Sequence, residues 1–83
     1  MSQLDQIRTK INDIDEKMAA LFEERMHMSE QVAAFKCERG LSVRDAERER
    51  ELIARSAACI GDETVGSYYA QFLRKVIDLS CAY

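Results

Sequence analysis

The feature that most constrains this chain is a long, unbroken apolar stripe near its N-terminus. Apolar residues recur there at alternating steps of three and four, which is the heptad character of a helix that packs against another helix. The stripe extends over about 32 residues without a glycine or proline to stop it. Its members are Leu4, Ile7, Ile11, Ile14, Met18, Leu21, Met28, Val32 and Phe35. The pattern predicts one very long first helix.

The length of this helix has consequences for the whole chain. With Ser2 as N-cap and Gly40 just beyond its end, the helix would run to about Arg39 and measure roughly 55 Å. A compact domain of 83 residues has a radius of gyration of only about 12 Å. The rest of the chain cannot cover such a helix alone, so we predict a homodimer in which long helices pack on each other.

The composition supports an all-helical fold in a single domain, residues 1–83. The chain has no proline and only three glycines, too few for the many turns of a β-sandwich or barrel. We therefore predict an all-α chain of three helices, one very long and two shorter.

The second helix is predicted to run from about Val43 or Arg44 to Ala58. Ser42 with Asp45 three residues later resembles a capping box in which Asp replaces the usual Glu. The inner side of this helix would hold Ala46, Ile53 and Ala57.

The third helix is predicted to follow Gly61, which breaks the second. Asp62 or Thr64 would cap it, and it would continue through Ser80 to Tyr83. Its apolar stripe consists of Val65, Tyr69, Phe72, Leu73, Val76 and Ile77.

Charge and cysteine content argue against several classes of function. The net charge of −3 argues against general binding of nucleic acid or anionic membranes, yet allows a small anionic ligand in a cationic pocket. No apolar run approaches the roughly 20 residues of a membrane span, and no signal peptide is visible, so we expect a cytoplasmic protein. Cys37, Cys59 and Cys81 are odd in number and form no CxxC pair, and His27 is the one histidine. We expect reduced thiols and no metal site.

Candidate functional residues are the polar ones that interrupt the apolar stripes. The first stripe requires an apolar residue at position 25 and has Arg25. Lys36 lies within about 20° of Arg25 around the helix, so that both long side chains can address one ligand. Arg8 points roughly 100° away and fits a pocket of the partner subunit better.

Two further polar residues face inward by the same arithmetic. Glu49 follows Ala46 by three residues and precedes Ile53 by four, and Ser80 follows Val76 by four. Together with the two cations of the first helix, they would place a carboxylate and a hydroxyl in one helical interior. Such a set suits a small polyanion that carries a hydroxyl group.

Each of these residues also has an interpretation without function. Arg25 would be a polar residue that sets the register of a helical seam and pairs with a carboxylate such as Glu49. Lys36 would be a solvated lysine at a helix end, and Ser80 a packing residue bonded to its own helix. Arg48 belongs to a charge run that is usually a solvated face. Spacing alone leaves these alternatives open.

The order of these residues along the chain carries a family resemblance. The pattern reads Leu4-x-x-x-Arg8-x-x-Ile11-x-x-Ile14-Asp15, then Leu21-x-x-x-Arg25, Val32-x-x-x-Lys36, Val43-Arg44-Asp45-x-x-Arg48-Glu49, and Tyr69 with Ile77-x-x-Ser80. In this order it resembles the all-helical chorismate mutases over nearly the whole chain. The most specific part is the spacing of nine from Lys36 to Asp45, with an Arg-Glu doublet three residues on.

The resemblance implies an intertwined homodimer with two active sites, without metal or cofactor. Each site would convert chorismate to prephenate by a Claisen rearrangement, at the branch toward phenylalanine and tyrosine. The implied catalytic residues are Lys36, on a carboxylate and the ether oxygen, Arg25, on a carboxylate, and Glu49, on the ring hydroxyl. The implied substrate-binding residues are Arg8 of the partner subunit on a carboxylate, Arg48 through its backbone beside the hydroxyl, Asp45 as the residue that orients this wall, and Ser80 on a carboxylate.

The chain departs from the family at one position. The family usually has a Gln or Glu four residues after the serine, which would be position 84, and the sequence stops at Tyr83. We expect a cut domain, of the kind that often opens a longer chain with a prephenate dehydratase or dehydrogenase, and reduced activity in the form given. Assaying it beside a version extended by a few native residues would test this, and equal rates would contradict it.

Two other functions remain as alternatives. An isochorismate-pyruvate lyase on the same fold would use a similar cationic pocket, and product analysis separates prephenate from pyruvate plus salicylate. A non-catalytic helical dimerisation module would use the charges of the seam only to fix register.

Overall fold

Three α-helices make up the architecture of the chain. The computed structural model describes residues 2–42 and 44–83, with α1 at Gln3–Glu38, α2 at Ala46–Ala58 and α3 at Glu63–Ala82. Within these ranges there is no strand. The all-α prediction with one very long and two shorter helices is confirmed.

The first helix begins and ends where its sequence signals place it. Ser2 is extended, and its hydroxyl accepts a hydrogen bond from the backbone N–H of Asp5 at 3.1 Å. Arg39 is the C-cap, and Gly40 follows with a φ of +66°, a conformation that costs glycine little. The longest dimension of the molecule is 57 Å, as expected for one uninterrupted helix of this length.

The start of α2 differs from the prediction. Asp45 is the N-cap, and its carboxylate accepts a hydrogen bond from the backbone N–H of Arg48 at 3.1 Å. The hydroxyl of Ser42, the predicted cap, instead donates to the carbonyl of Arg44 at 3.0 Å. The capping-box prediction is therefore wrong, because Asp45 is itself a strong N-cap residue and Ser42 forms a local bond. Val43, the other predicted start, lies outside the described residues.

The third helix is capped by the first of the two predicted residues. The carboxylate of Asp62 accepts hydrogen bonds from the backbone N–H groups of Thr64 and Val65, at 3.0 and 3.2 Å. Farther along, Gly66 is buried, and a Cβ placed there would lie 3.0 Å from the carbonyl oxygen of Ala57. Glycine at this position lets the end of α2 approach α3 closely.

The core is small and lies between α2 and α3. Its buried members are Leu73, Val76 and Ile77, with Leu52, Ile53 and Tyr69 packed against them. The prediction that Ala46 faces inward is wrong, because it is the first residue of α2 and is exposed. In the predicted stripe of α3, about half of the surface of Val65 and of Phe72 is accessible within the single chain.

The apolar stripe of α1 is left largely uncovered within the chain. No residue of α1 is buried, because α2 packs on α3 and α3 contacts only part of α1. Ile11, in the middle of the stripe, is 48% exposed, and Val32 is 51% exposed. A single chain thus presents a continuous apolar helix face along most of its length.

Candidate active site

Polar side chains from all three parts of the fold line one cleft of about 670 Å³. The second half of α1, the start of α2 and the end of α3 each form one wall of the cleft. Five of the seven site residues predicted from the sequence line this cleft. They are Arg25, Asp45, Arg48, Glu49 and Ser80.

Arg25 is held in place by the last turns of α3. Its side chain is half-buried, and Nη1 donates a hydrogen bond to Oγ of Ser80 at 2.9 Å. The Ser80 hydroxyl donates in turn to the carbonyl of Val76 at 2.9 Å, as expected for a serine bonded to its own helix. The alternative that pairs Arg25 with Glu49 is wrong, since each has a different partner. Ser80 therefore fixes a cation at the edge of the cleft.

Glu49 is the buried carboxylate of the cleft. It is 7% exposed, which confirms the prediction that it faces inward. Its Oε1 atom accepts hydrogen bonds from Arg74 at 2.9 Å and from Arg44 at 3.1 Å. A buried carboxylate is costly unless it is paired, and two guanidinium groups meet that requirement here.

A second carboxylate extends this group of charges along α3. Oδ1 of Asp78 accepts from Nη2 of Arg44 at 2.6 Å and lies 4.0 Å from Nη1 of Arg74. The hydrogen bonds to Asp78 and then to Glu49 raise the pKa of the Arg44 guanidinium. Arg74 and Asp78 were not predicted from the sequence to have a role. They are four residues apart on α3 and next to its buried stripe, and this spacing could have predicted that they pair with each other.

Asp45 and Arg48 stand together where α2 begins. The carboxylate of Asp45 accepts a hydrogen bond from the backbone N–H of Arg48. The backbone carbonyl of Asp45 accepts a second one from the backbone N–H of Glu49 at 3.0 Å. Asp45 thereby fixes the direction in which α2 leaves the cleft. The N–H of Arg48 is already used by this cap, although the family resemblance assigned it to the substrate hydroxyl.

Lys36 and Arg8 are not among the residues that line the cleft. Lys36 is half-buried and lies one turn beyond Val32 and Ala33, which do line it. Arg8 is exposed and lies about 25 Å from Arg25 along the helix axis, too far to reach the cleft of its own chain.

Several polar residues of the cleft were not predicted from the sequence. Ser29 lies on the same face of α1 as Arg25, one turn later, and this spacing was the available signal. Glu30 and Tyr83 also line the cleft. A hydrogen bond to Glu30, together with the charge of that carboxylate, raises the pKa of the Tyr83 phenol.

No group of His, Cys, Asp and Glu side chains in residues 2–42 and 44–83 is arranged to hold a metal ion. Across the same ranges, no helix is both long enough and apolar enough to cross a membrane.

The described residues form an all-helical protein with a charged cleft between its helices. The chain belongs to the chorismate mutase type II family, whose model matches residues 7–83. No curated protein and no solved structure matches the chain. Membership of this family makes the chain a chorismate mutase, an isomerase that converts chorismate to prephenate in aromatic amino-acid biosynthesis.

Proposed function

We propose that this chain performs the Claisen rearrangement as a homodimer, with each active site built from one cleft and Arg8 of the partner subunit. The observation that carries the proposal is the position of Arg25, Glu49 and Ser80 in one cleft. They supply the cation, the carboxylate and the hydroxyl that a dianionic, hydroxyl-bearing substrate requires.

The uncovered stripe of α1 supports the dimer. Large aliphatic side chains such as Ile7, Ile11 and Ile14 are each about half exposed and follow a heptad spacing. Extended apolar surfaces of this kind mark interaction sites, and the core of a single chain is too small to compensate for them. A second copy offers the same stripe, so two α1 helices can bury each other in a symmetric, isologous contact.

Chemistry of the rearrangement explains the types of residue in the cleft. A unimolecular reaction of this kind needs no nucleophile, and it is accelerated by holding a chair-like conformer in place. Cations where negative charge grows on the breaking C–O bond lower the barrier further. The arginines, glutamate and serine of the cleft, together with Lys36 one turn beyond it, provide both.

The proposed contacts follow from this chemistry. Arg25 holds one substrate carboxylate, with Ser80 beside it, and Arg8 of the partner subunit holds the other, because guanidinium groups bind carboxylates in a bidentate manner. Lys36, which is half-buried one turn beyond Val32, contacts a carboxylate and the ether oxygen of the bound substrate. Glu49 accepts the hydrogen bond of the ring hydroxyl.

Two residues support this wall of the site. Asp45 orients the start of α2, on which Glu49 is mounted, through its cap on Arg48. The Arg48 guanidinium remains as a second cation of the cleft. We also place the protein in the cytoplasm, which its three free cysteines, Cys37, Cys59 and Cys81, support.

The test is the consumption of chorismate, followed by its ultraviolet absorbance, with purified protein and no added metal or cofactor. We expect prephenate as the product, and we expect Lys36→Ala to lower kcat/KM by about 10²–10³, the usual effect of removing one preorganised donor. Arg39→Ala is the matched control, since it also removes a cation from the C-terminal end of α1. The Arg39 side chain is exposed, and its guanidinium stacks on the Phe35 ring. Pyruvate and salicylate from isochorismate would contradict the proposal, and so would an unchanged rate in Lys36→Ala.

A further inference from the structure

We infer that Arg74 is a positioning residue for the reaction and acts through Glu49; the inference rests on the proposed function of the cleft. Nη1 of Arg74 donates to Oε1 of Glu49 at 2.9 Å. Glu49 lines the cleft and Arg74 does not. Arg74 therefore contacts the catalytic carboxylate from behind the wall on which a substrate would lie.

Of the two guanidinium groups on Glu49, that of Arg74 has the firmer support. Arg74 lies in the middle of α3, next to the buried Leu73 and one turn before Asp78. Arg44 lies in the connection between α1 and α2, and it divides Nη2 between Glu49 and Asp78. A contact from a packed helix holds the carboxylate in one orientation better than a contact from a connecting segment.

The charges of the cleft explain why such a contact affects a dianionic substrate. The side chains that line the cleft include two cations and three carboxylates, namely Arg25, Arg48, Glu30, Asp45 and Glu49. A carboxylate without compensation near the substrate would repel it. By pairing with Glu49 from outside the cleft, Arg74 offsets this charge while Glu49 remains an acceptor for the ring hydroxyl.

The experiment is a double-mutant cycle that compares Arg74→Gln, Glu49→Gln and the double variant with the wild type. The measured quantities are kcat and KM for chorismate, below the unfolding temperature of every variant. We expect Arg74→Gln to lower kcat/KM by about tenfold in the wild-type background and less than about twofold in the Glu49→Gln background, because directly bonded charged groups are coupled. Its loss should divide between kcat and KM in the same proportion as the loss in Glu49→Gln.

Two further variants separate positioning from a structural role. Arg74→Lys should recover part of the loss, because a single N–H of Arg74 contacts Glu49 and an ammonium can replace it. Arg55→Gln, an exposed arginine on the last turn of α2, is the matched control and should keep wild-type rates. If Arg74→Gln does not fold, Arg74→Lys is taken through the same cycle with Glu49→Gln.

The outcomes separate this inference from the proposed function. Equal losses from the Arg74 substitution in both backgrounds, or no loss at all, would overturn the role of Arg74 while the wild type still makes prephenate. A folded wild type and a folded Arg55→Gln that make no prephenate would overturn the proposed function, and this inference with it.

Discussion

At the scale of single residues, three of the polar residues that interrupt the apolar stripes, Arg25, Glu49 and Ser80, line the same cleft. Arg25 occupies a position where the heptad pattern requires an apolar side chain, and it is bonded to Ser80 on another helix. Glu49 is buried and held by two arginines. Removing the Arg25 cation and the Glu49 carboxylate from water costs free energy, which their separate pairs only partly return. Stability alone is therefore a poor reason for charges at these positions, and a role in binding is favoured.

Replacing Arg25 distinguishes the enzyme from a dimerisation module at this scale. We expect Arg25→Leu to lower kcat/KM for chorismate by about 10²–10³ while the helical circular-dichroism spectrum is retained, because one preorganised cation is lost. Arg50→Leu, an exposed arginine of α2, is the control for a surface substitution. Wild-type activity together with raised stability in Arg25→Leu would instead identify a residue that only sets register.

At the scale of elements, the caps decide where the site residues stand. Asp45 and Asp62 are both N-caps that accept backbone N–H groups, at the starts of α2 and α3. The first lies in the cleft, and the second lies at the opposite end of α3 from Ser80. Both N-cap hydrogen bonds therefore stabilise the helix that they begin. Only that of Asp45 also supports a wall of the cleft.

This difference can be measured by removing each cap in turn. We expect Asp45→Ala and Asp62→Ala each to lower the free energy of unfolding by about 1 kcal/mol, as for other N-cap aspartates. Asp45→Ala should also lower kcat/KM, because the wall that carries Glu49 loses its anchor, whereas Asp62→Ala should not. Urea denaturation and the chorismate assay give both quantities, and equal activity in the two variants would contradict the role of Asp45.

At the scale of the whole molecule, the chain is extended and has little core of its own. Its radius of gyration is 16.1 Å, against about 12 Å expected for a compact domain of this length. The buried residues are few and lie at the α2–α3 contact, so most of the apolar surface of α1 has no cover within the chain. Stability and activity are therefore expected to depend on protein concentration.

A charge placed on the α1 stripe should separate the subunits of the proposed dimer. We expect Ile11→Glu to dissociate the dimer, because a carboxylate without a partner would be buried between two helices. Asn12→Glu adds the same charge one residue away, off the stripe, and should leave the dimer intact. Sedimentation velocity over a range of concentrations measures the result, and a dimeric Ile11→Glu would place the interface elsewhere.

Mixing two inactive variants tests whether Arg8 acts across the interface. After Arg8→Ala and Arg25→Ala are unfolded and refolded together, half of the dimers should be mixed, each with one intact site. We expect recovery of about a quarter of the wild-type activity, because a two-fold dimer pairs the remaining Arg8 with the remaining Arg25. The absence of any recovery in a dimeric mixture would show that Arg8 does not serve the partner's site.

The sequence by itself determined the helices and most of the inward-facing polar residues, because both follow from local rules. Periodicity, the Ser2 cap and Gly40 set the bounds of α1. The helical spacing of apolar residues likewise predicted that Arg25 and Glu49 face inward. The start of α2 was misjudged, because Ser42 and Asp45 are both good caps and sequence does not rank them.

Only the tertiary structure decided which charges pair. Arg74 is separated from Glu49 by 25 residues, and the angle at which α2 crosses α3 brings the two together. Arg44, five residues before Glu49, reaches it from the connection that precedes α2. No periodicity within one helix contains that angle, since it is set by side-chain packing at the contact between two helices. The family pattern thus indicated which residues to expect in the site, and packing determined what holds those that line the cleft.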